Sequence, residues 1–214
     1  MNKNGRLFVL IISIVLFLVS VLTLSFAYIG RSDSIVVSPN NTVVQGSFRS
    51  ANQCANLTAT ASGSLGLNVD FNALDSSTSS NSYTSYIDSP VVTLTINIAK
   101  SSDTTYSNVT CSYMLSYVPT TKYTPSSGAV SAGLMELAVI GSSSSNSFNA
   151  VDIGNKTSKT TLKTASITTT SGQPKSEVWS IKMRFYNLDI DQSGIMNQSP
   201  KGNIFVEQVS CGGA

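Results

Sequence analysis

Apolar residues recur at every second position in four stretches of this chain. Period-two alternation is typical of a half-buried β-strand, because successive side chains point to opposite faces of a sheet. We therefore predict four long strands with one face toward a core. Their inward sets are Val92, Leu94, Ile96 and Ile98; Val109, Cys111, Tyr113, Leu115 and Tyr117; Trp179, Ile181, Met183 and Phe185; and Phe205, Val209 and Cys211.

The rest of the chain alternates apolar β-formers with polar turn sequences. Serine, proline, asparagine and glycine dominate the connections, as in SPNN, DSSTSSNS and GSSSSNSFN, and such clusters are typical of turns. Further strands are predicted at Ile35–Phe48, Ala55–Thr60, Leu65–Phe71, Leu134–Ile140 and Thr160–Thr169. The segment GAVSAGLMELAVIG also fits one short helix. The pattern predicts an all-β fold, a two-sheet β-sandwich of jelly-roll type.

The first residues have the pattern of a secretory signal. Lys3 and Arg6 precede an unbroken apolar run from Leu7 to Leu24, and small residues follow at Ser25 and Ala27. This order predicts a signal peptide over residues 1–27 with cleavage between Ala27 and Tyr28. A retained membrane anchor over residues 7–27 is the alternative. The cleaved signal peptide and the retained anchor both predict export. We expect residues 28–50 to form an arm or first strand and residues 51–214 to form the sandwich.

The amino-acid composition narrows the classes of function that we expect for this chain. The chain has 214 residues, of which 38 are serine and 21 threonine, while charged residues make only 11%. The net charge of +2 lies in no basic block, so nucleic acid is not an expected partner. There is no histidine, which removes the commonest general base and zinc ligand. We therefore expect no enzyme activity and no cofactor.

Three cysteines, Cys54, Cys111 and Cys211, are far apart in sequence. In an exported chain, one disulfide and one free thiol is the natural arrangement, although the spacing does not tell which two pair. Three reduced, buried cysteines are the alternative.

The segment DIDQSGIMNQSP is the strongest candidate for a metal loop. Asp189, Asp191 and Ser193 occupy the first, third and fifth positions of a calcium-loop pattern, with Gly194 at the sixth. The twelfth position, which should hold a bidentate glutamate, is Pro200. The sequence therefore favours a structured turn over a calcium site.

Aromatic residues supply two further expectations. Trp179 is the only tryptophan and lies in an alternating segment, which predicts a core anchor. Four tyrosines are predicted in polar loops, where an aromatic ring could stack on a sugar: Tyr83, Tyr86, Tyr106 and Tyr123.

Two blocks of the sequence resemble a known family. The exit LSFAYIG (residues 24–30) looks like the leader exit of TasA/camelysin-like exported proteins of Gram-positive bacteria. The blocks VWSIKMRFYNLDIDQSG and KGNIFVEQVSC are similar to those of small exported β-proteins from uncultivated Firmicutes. The serine-rich loops and the cysteines depart from the fibre-forming members.

The resemblance implies a jelly-roll sandwich at the cell surface or in a biofilm matrix. In the fibre-forming members, the segment freed by signal cleavage enters the next subunit as a donor strand. Here Ile35–Val37 and Val43–Val44 are the apolar parts of that arm. The arm could pair with a neighbouring subunit, or form the first strand of its own sandwich. The partners expected are a second copy, or other surface and matrix proteins. A membrane-anchored module that binds glycans through its loops is the alternative function.

Overall fold

The computed structural model describes residues 34–37, 46–49, 54–68, 85–102, 104–195 and 197–213, and the structural statements below concern these residues. The predicted leader, its cleavage between Ala27 and Tyr28, and Tyr83 lie outside them. The strands are β1 (Ser34–Val37), β2 (Gly46–Arg49), β3 (Ala55–Ser62), β4 (Ser85–Asp88), β5 (Val92–Lys100), β6 (Val109–Thr121), β7 (Leu137–Ser142), β8 (Ser147–Asp152), β9 (Thr160–Thr168), β10 (Lys175–Asn187) and β11 (Lys201–Gly213). One helix, α1, spans Ser127–Ala132.

The strands form two antiparallel sheets. Sheet A has the order β1-β11-β6-β9, and sheet B has the order β2-β3-β5-β10-β7-β8, with β4 also paired to β10. The chain changes sheet at β1–β2, β5–β6, β6–β7, β8–β9, β9–β10 and β10–β11. Consecutive strands therefore face each other across the core more often than they pair side by side.

One hydrophobic core lies between the two sheets. Leu94 and Ile96 of sheet B and Tyr113 and Leu115 of sheet A are buried in the same apolar cluster. Burial of one such side chain contributes about 1.5–3 kcal/mol, so this cluster is the main source of stability. The prediction of a mostly β protein with two sheets is confirmed, and the packing is sandwich-like.

Three of the four alternating segments face the core as predicted. Their inward residues are all buried: Val92, Leu94, Ile96 and Ile98; Val109, Cys111, Tyr113, Leu115 and Tyr117; and Trp179, Ile181, Met183 and Phe185. The ring of Trp179 lies 5.8 Å from that of Phe148. Gly141 permits this packing, because a Cβ at that position would overlap the Phe148 ring.

In the fourth segment, Phe205 was predicted on the wrong face, and the side chain of Val209 lies outside the described part of the structure. In β11, Ile204 and Val206 are buried in the core, and Phe205 lies on the other face. The pairing of β11 with β6 shifts register between Gln208 and Ser210. Such a bulge adds one residue to one strand and reverses the phase of the residues after it. Cys211 therefore does face inward, as expected.

Several strand boundaries also differ from the prediction. The stretch Ile35–Phe48 contains two strands in different sheets, β1 on β11 and β2 on β3. The stretch predicted at Leu65–Phe71 makes only an isolated bridge at Gly66 within its described part. β4 and β8 lie in segments that were predicted to be loops, since serine and asparagine conceal their β pattern.

Helix α1 confirms the alternative prediction of one short helix in the segment GAVSAGLMELAVIG. The Ser126 hydroxyl accepts a hydrogen bond from the Ala129 amide, which caps the N-terminus. Gly133 ends the helix in the left-handed conformation that glycine adopts without strain. Strand β7 therefore begins at Leu137 and not at Leu134. The helix packs Ala129 near Ala138 and Tyr186 in a small second apolar cluster.

A disulfide joins Cys111 on β6 to Cys211 on β11. The two residues are directly opposite in the ladder, with their Cα atoms 4.1 Å apart. Cys54 is a free, buried thiol. This matches the expectation of one disulfide and one thiol, and the pairing of strands determines which cysteines bond.

Replacing both Cys111 and Cys211 by alanine is expected to lower the free energy of unfolding by about 2–4 kcal/mol, since the disulfide closes a long loop in the unfolded chain. Urea denaturation measures the change. Cys54→Ala is the matched control and should leave the disulfide intact in non-reducing peptide mapping. A disulfide that includes Cys54, or an unchanged stability in the double variant, would contradict the assignment.

Candidate functional site

A carboxylate inside the sandwich joins the two sheets. Glu177 on β10 is buried, and its Oε2 accepts a hydrogen bond from the Tyr113 hydroxyl of β6 at 2.5 Å. Its Oε1 accepts from Ser143 Oγ at 2.5 Å and from Asn146 Nδ2 at 2.8 Å. Trp179 Nε1 donates to the Tyr113 hydroxyl at 2.9 Å. Burial, together with the bond to Glu177, raises the pKa of Tyr113 far above its usual range.

A second buried carboxylate, Glu136, lies beside the candidate calcium loop. Its Oε2 accepts from the Tyr123 hydroxyl at 2.8 Å and from the Ser126 amide at 2.9 Å. Its Oε1 accepts from Ser126 Oγ at 2.9 Å and from Gln192 Nε2 at 2.8 Å. Four donors therefore satisfy this carboxylate, and it holds the start of helix α1 against the loop. Burial, followed by the bond to Glu136, raises the pKa of Tyr123.

Gln192 is the residue that fixes the loop. Its side chain is buried, and it accepts from the Leu188 amide at 2.8 Å while donating to the Tyr186 carbonyl at 3.1 Å. Together with the bond to Glu136, these contacts use both ends of the amide. The sequence pattern does not indicate this role, because the calcium-loop positions are the two aspartates on either side of Ile190.

The aspartates of the loop point to solvent. Asp189, Asp191 and Ser193 are exposed, and Asp191 Oδ1 accepts a hydrogen bond from the Ser193 amide at 2.9 Å. Hydrogen bonds from the side chain and backbone of Ser193 lower the pKa of Asp191. Within the described ranges, no group of three or more acidic, cysteine or histidine side chains could hold a metal ion. This geometry supports the structured turn that the sequence favoured.

Glu136 and Glu177 do not form a general acid–base pair. Glu177 is near the start of β10, whereas the partners of Glu136 lie at its end, close to Tyr186. Nine residues of extended strand separate these two ends, a distance of about 30 Å. Each carboxylate is instead enclosed by its own set of donors. Glu177 could have been found from sequence, because it has the same strand phase as Trp179.

Charged residues collect on the outer face of sheet B. Asp88 on β4 accepts two hydrogen bonds from Arg184, at 2.7 Å from Nε and 2.9 Å from Nη2. Lys182 Nζ donates to the same carboxylate at 2.8 Å. Burial alone would raise the pKa of Asp88, but the bonds and charges of Arg184 and Lys182 outweigh it and lower that pKa. The Arg184 guanidinium also lies 3.4 Å from the centre of the Tyr86 ring.

A groove of about 400 Å³ opens beside this charged cluster. Strands β7, β8 and β10 form its floor. Its polar lining comprises Ser142, Ser147, Asn149, Ser180, Lys182 and Arg184. These polar residues lie on the side of sheet B that faces away from the core, whereas Phe148, which also lines the groove, belongs to the core.

The predicted loop tyrosines divide into different environments. Tyr106 is exposed, in agreement with the prediction. Tyr123 lies in a loop, as predicted, but it is buried and bound to Glu136, so its ring does not face solvent and cannot stack on a sugar. Tyr86 is exposed but belongs to strand β4, and Arg184 covers its ring. The sequence gives no sign of these partners, because they come from distant strands.

Comparisons with known proteins give no family for this chain. No protein-family model matches it, and no curated protein matches it. In the part of the chain that the structure describes, no helix is both long enough and apolar enough to cross a bilayer.

Replacing Gln192 by alanine is expected to lower the free energy of unfolding by about 1–3 kcal/mol, because it leaves the buried Leu188 amide without a partner and removes one of the four donors to Glu136. Thermal or urea denaturation measures the change. Asp189→Ala is the matched control in the same loop, and its effect should stay within about 0.5 kcal/mol.

Calcium at millimolar concentration should leave the melting temperature of the protein nearly unchanged. A ligand that binds only the folded state raises that temperature, so differential scanning calorimetry tests the loop directly. A rise of many degrees that disappears in Asp189→Ala would show a calcium site.

Proposed function

We propose that this chain is a non-enzymatic structural protein that is exported to the cell surface or an extracellular matrix. Three observations support the proposal. The leader pattern over residues 1–27 is typical of export. A disulfide between Cys111 and Cys211 suits an oxidising compartment. The buried carboxylates Glu136 and Glu177 are occupied by structural hydrogen bonds and leave no reactive pair between them.

We further infer a jelly-roll topology for the sandwich. Eight of the strands fall into two four-stranded sets, β1-β11-β6-β9 and β5-β10-β7-β8. Two interleaved sets of this kind, each mixing early and late strands, are what a jelly roll requires. In this topology β2 and β3 are additions to the edge of sheet B, and β4 is an addition that pairs with β10.

The proposal that subunits associate rests on strand β1. It has four residues and pairs at the edge of sheet A with β11, from Ser34 opposite Glu207 to Val37 opposite Ile204. An identical strand from a second copy could make the same backbone hydrogen bonds. Exchange of one edge element between identical chains conserves the contacts, so it needs little free energy. We propose that β1 of one subunit pairs with β11 of the next.

The test begins with the mature chain that starts at Tyr28. Electron microscopy and size-exclusion chromatography are expected to show linear assemblies. Prolines at both Ile35 and Val36 should abolish them, because proline cannot donate a ladder hydrogen bond and one of two consecutive amides must face β11. A double proline at Ser32 and Asp33, before β1, is the matched control and should assemble. Persistent monomers under all conditions would contradict assembly.

Export is tested separately by the mass of the native N-terminus. A chain that begins at Tyr28 supports cleavage and a secreted subunit. A chain that retains the apolar run supports the membrane-anchored alternative, while a full-length chain found only in the cytosol would contradict export.

A further inference from the structure

The groove on the outer face of sheet B carries an unbalanced positive charge. Lys182 and Arg184 share the single carboxylate of Asp88. A lysine ammonium has three N–H donors, and Lys182 uses one of them on Asp88. An arginine guanidinium has five, and Arg184 uses two of them on Asp88. Several donors with a net charge of one unit therefore remain to be directed at a ligand in the groove.

The two cations are held in position before any ligand arrives. Arg184 makes a bidentate pair with Asp88 and lies over the ring of Tyr86. Lys182 is anchored to the same carboxylate, and about a third of its side chain is exposed. Fixed donors lose little conformational entropy on binding, which favours recognition of an anion.

A row of hydroxyl groups extends from the groove across the sheet. Register partners join Ser147 to Ser142, Ser142 to Ser180, Ser180 to Thr93, and Thr93 to Ser62. The row crosses five adjacent strands, so it spans roughly 19 Å at about 4.8 Å per strand. Its members carry no charge, and three of them, Ser142, Ser147 and Ser180, also line the groove.

We propose that this face binds an acidic polysaccharide, with one uronate carboxylate in the groove at Lys182 and Arg184. The sugar units that follow along the polymer lie on the hydroxyl row and exchange hydrogen bonds with it. A saccharide matches both features, because it combines a carboxylate with repeated hydroxyl groups along an extended chain. Nucleic acid fits less well, since its phosphodiester backbone offers few hydroxyl groups to exchange hydrogen bonds with the row.

This assignment places glycan recognition on the face of a sheet, and not on the loop tyrosines. It does not depend on association through β1, because the groove and the hydroxyl row belong to strands β3, β5, β7, β8 and β10. A chain that never assembles would therefore still bind the polysaccharide.

The test uses hexamers of galacturonate and of uncharged glucose with the mature chain, by isothermal titration calorimetry at low salt. The galacturonate hexamer is expected to bind more tightly than the glucose hexamer, and its affinity should fall as salt rises. Lys182→Gln should weaken binding of the galacturonate hexamer about tenfold, because it removes one charge-assisted hydrogen bond. Lys175→Gln is the matched control, since it removes the same charge from the exposed start of β10.

Asp88→Asn tests whether Lys182 and Arg184 bind the polysaccharide or only stabilise the fold. It removes the negative charge that Lys182 and Arg184 share, while the asparagine carbonyl oxygen still accepts a hydrogen bond and keeps the two cations in place. It should therefore strengthen galacturonate binding several-fold while leaving a folded protein by circular dichroism. Thr93→Glu, in the middle of the row, should weaken binding of the hexamer more than that of a single galacturonate, because its negative charge repels the carboxylates of the sugar units that lie on the row. Equal affinity for both hexamers, no binding of either, or an equal effect of Lys182→Gln and Lys175→Gln would overturn the proposal.

Discussion

The hydrogen-bonded chain from Trp179 through Tyr113 to Glu177 is the constraint on which the sandwich depends. Tyr113 belongs to sheet A, and the other two residues belong to sheet B. A buried carboxylate is costly unless donors satisfy it, and here neutral donors from β6 and from the β7–β8 turn do so. The sheets can therefore close over the core only in the register that brings Tyr113 to Glu177.

This closure determines where function can reside. Large apolar side chains fill the interior, and the buried carboxylates Glu136 and Glu177 already have hydrogen-bond partners. The surfaces that remain are the sheet edges and the outer faces, which explains why both proposals concern them. Strand β1 lies at an edge of sheet A, while the groove with Lys182 and Arg184 lies on the outer face of sheet B. The two roles use different parts of the molecule and can evolve or fail independently.

The alternation of apolar residues predicted the core strands because packing follows local periodicity there. It failed in β11, where a bulge between Gln208 and Ser210 reverses the phase, since no local composition signals an extra residue. The order of strands and the partner of Cys111 depend on contacts between distant segments, which periodicity does not encode. The same holds for Gln192 and for the Asp88–Arg184 pair. The inward position of Glu177 was predictable, because it has the same strand phase as Trp179. Its hydrogen bond to Tyr113 was not, because that residue lies on a distant strand.

The closed core is tested most directly by alkaline titration of the tyrosines, followed by phenolate absorbance. Burial raises the pKa of Tyr113, Tyr117 and Tyr123, so the folded state keeps protons that the unfolded state loses above about pH 10. Stability from these groups is complete below that pH and falls as the pH rises. The account predicts that three tyrosines ionise only when the protein unfolds. Reversible ionisation of every tyrosine near pH 10 in the folded protein would contradict it.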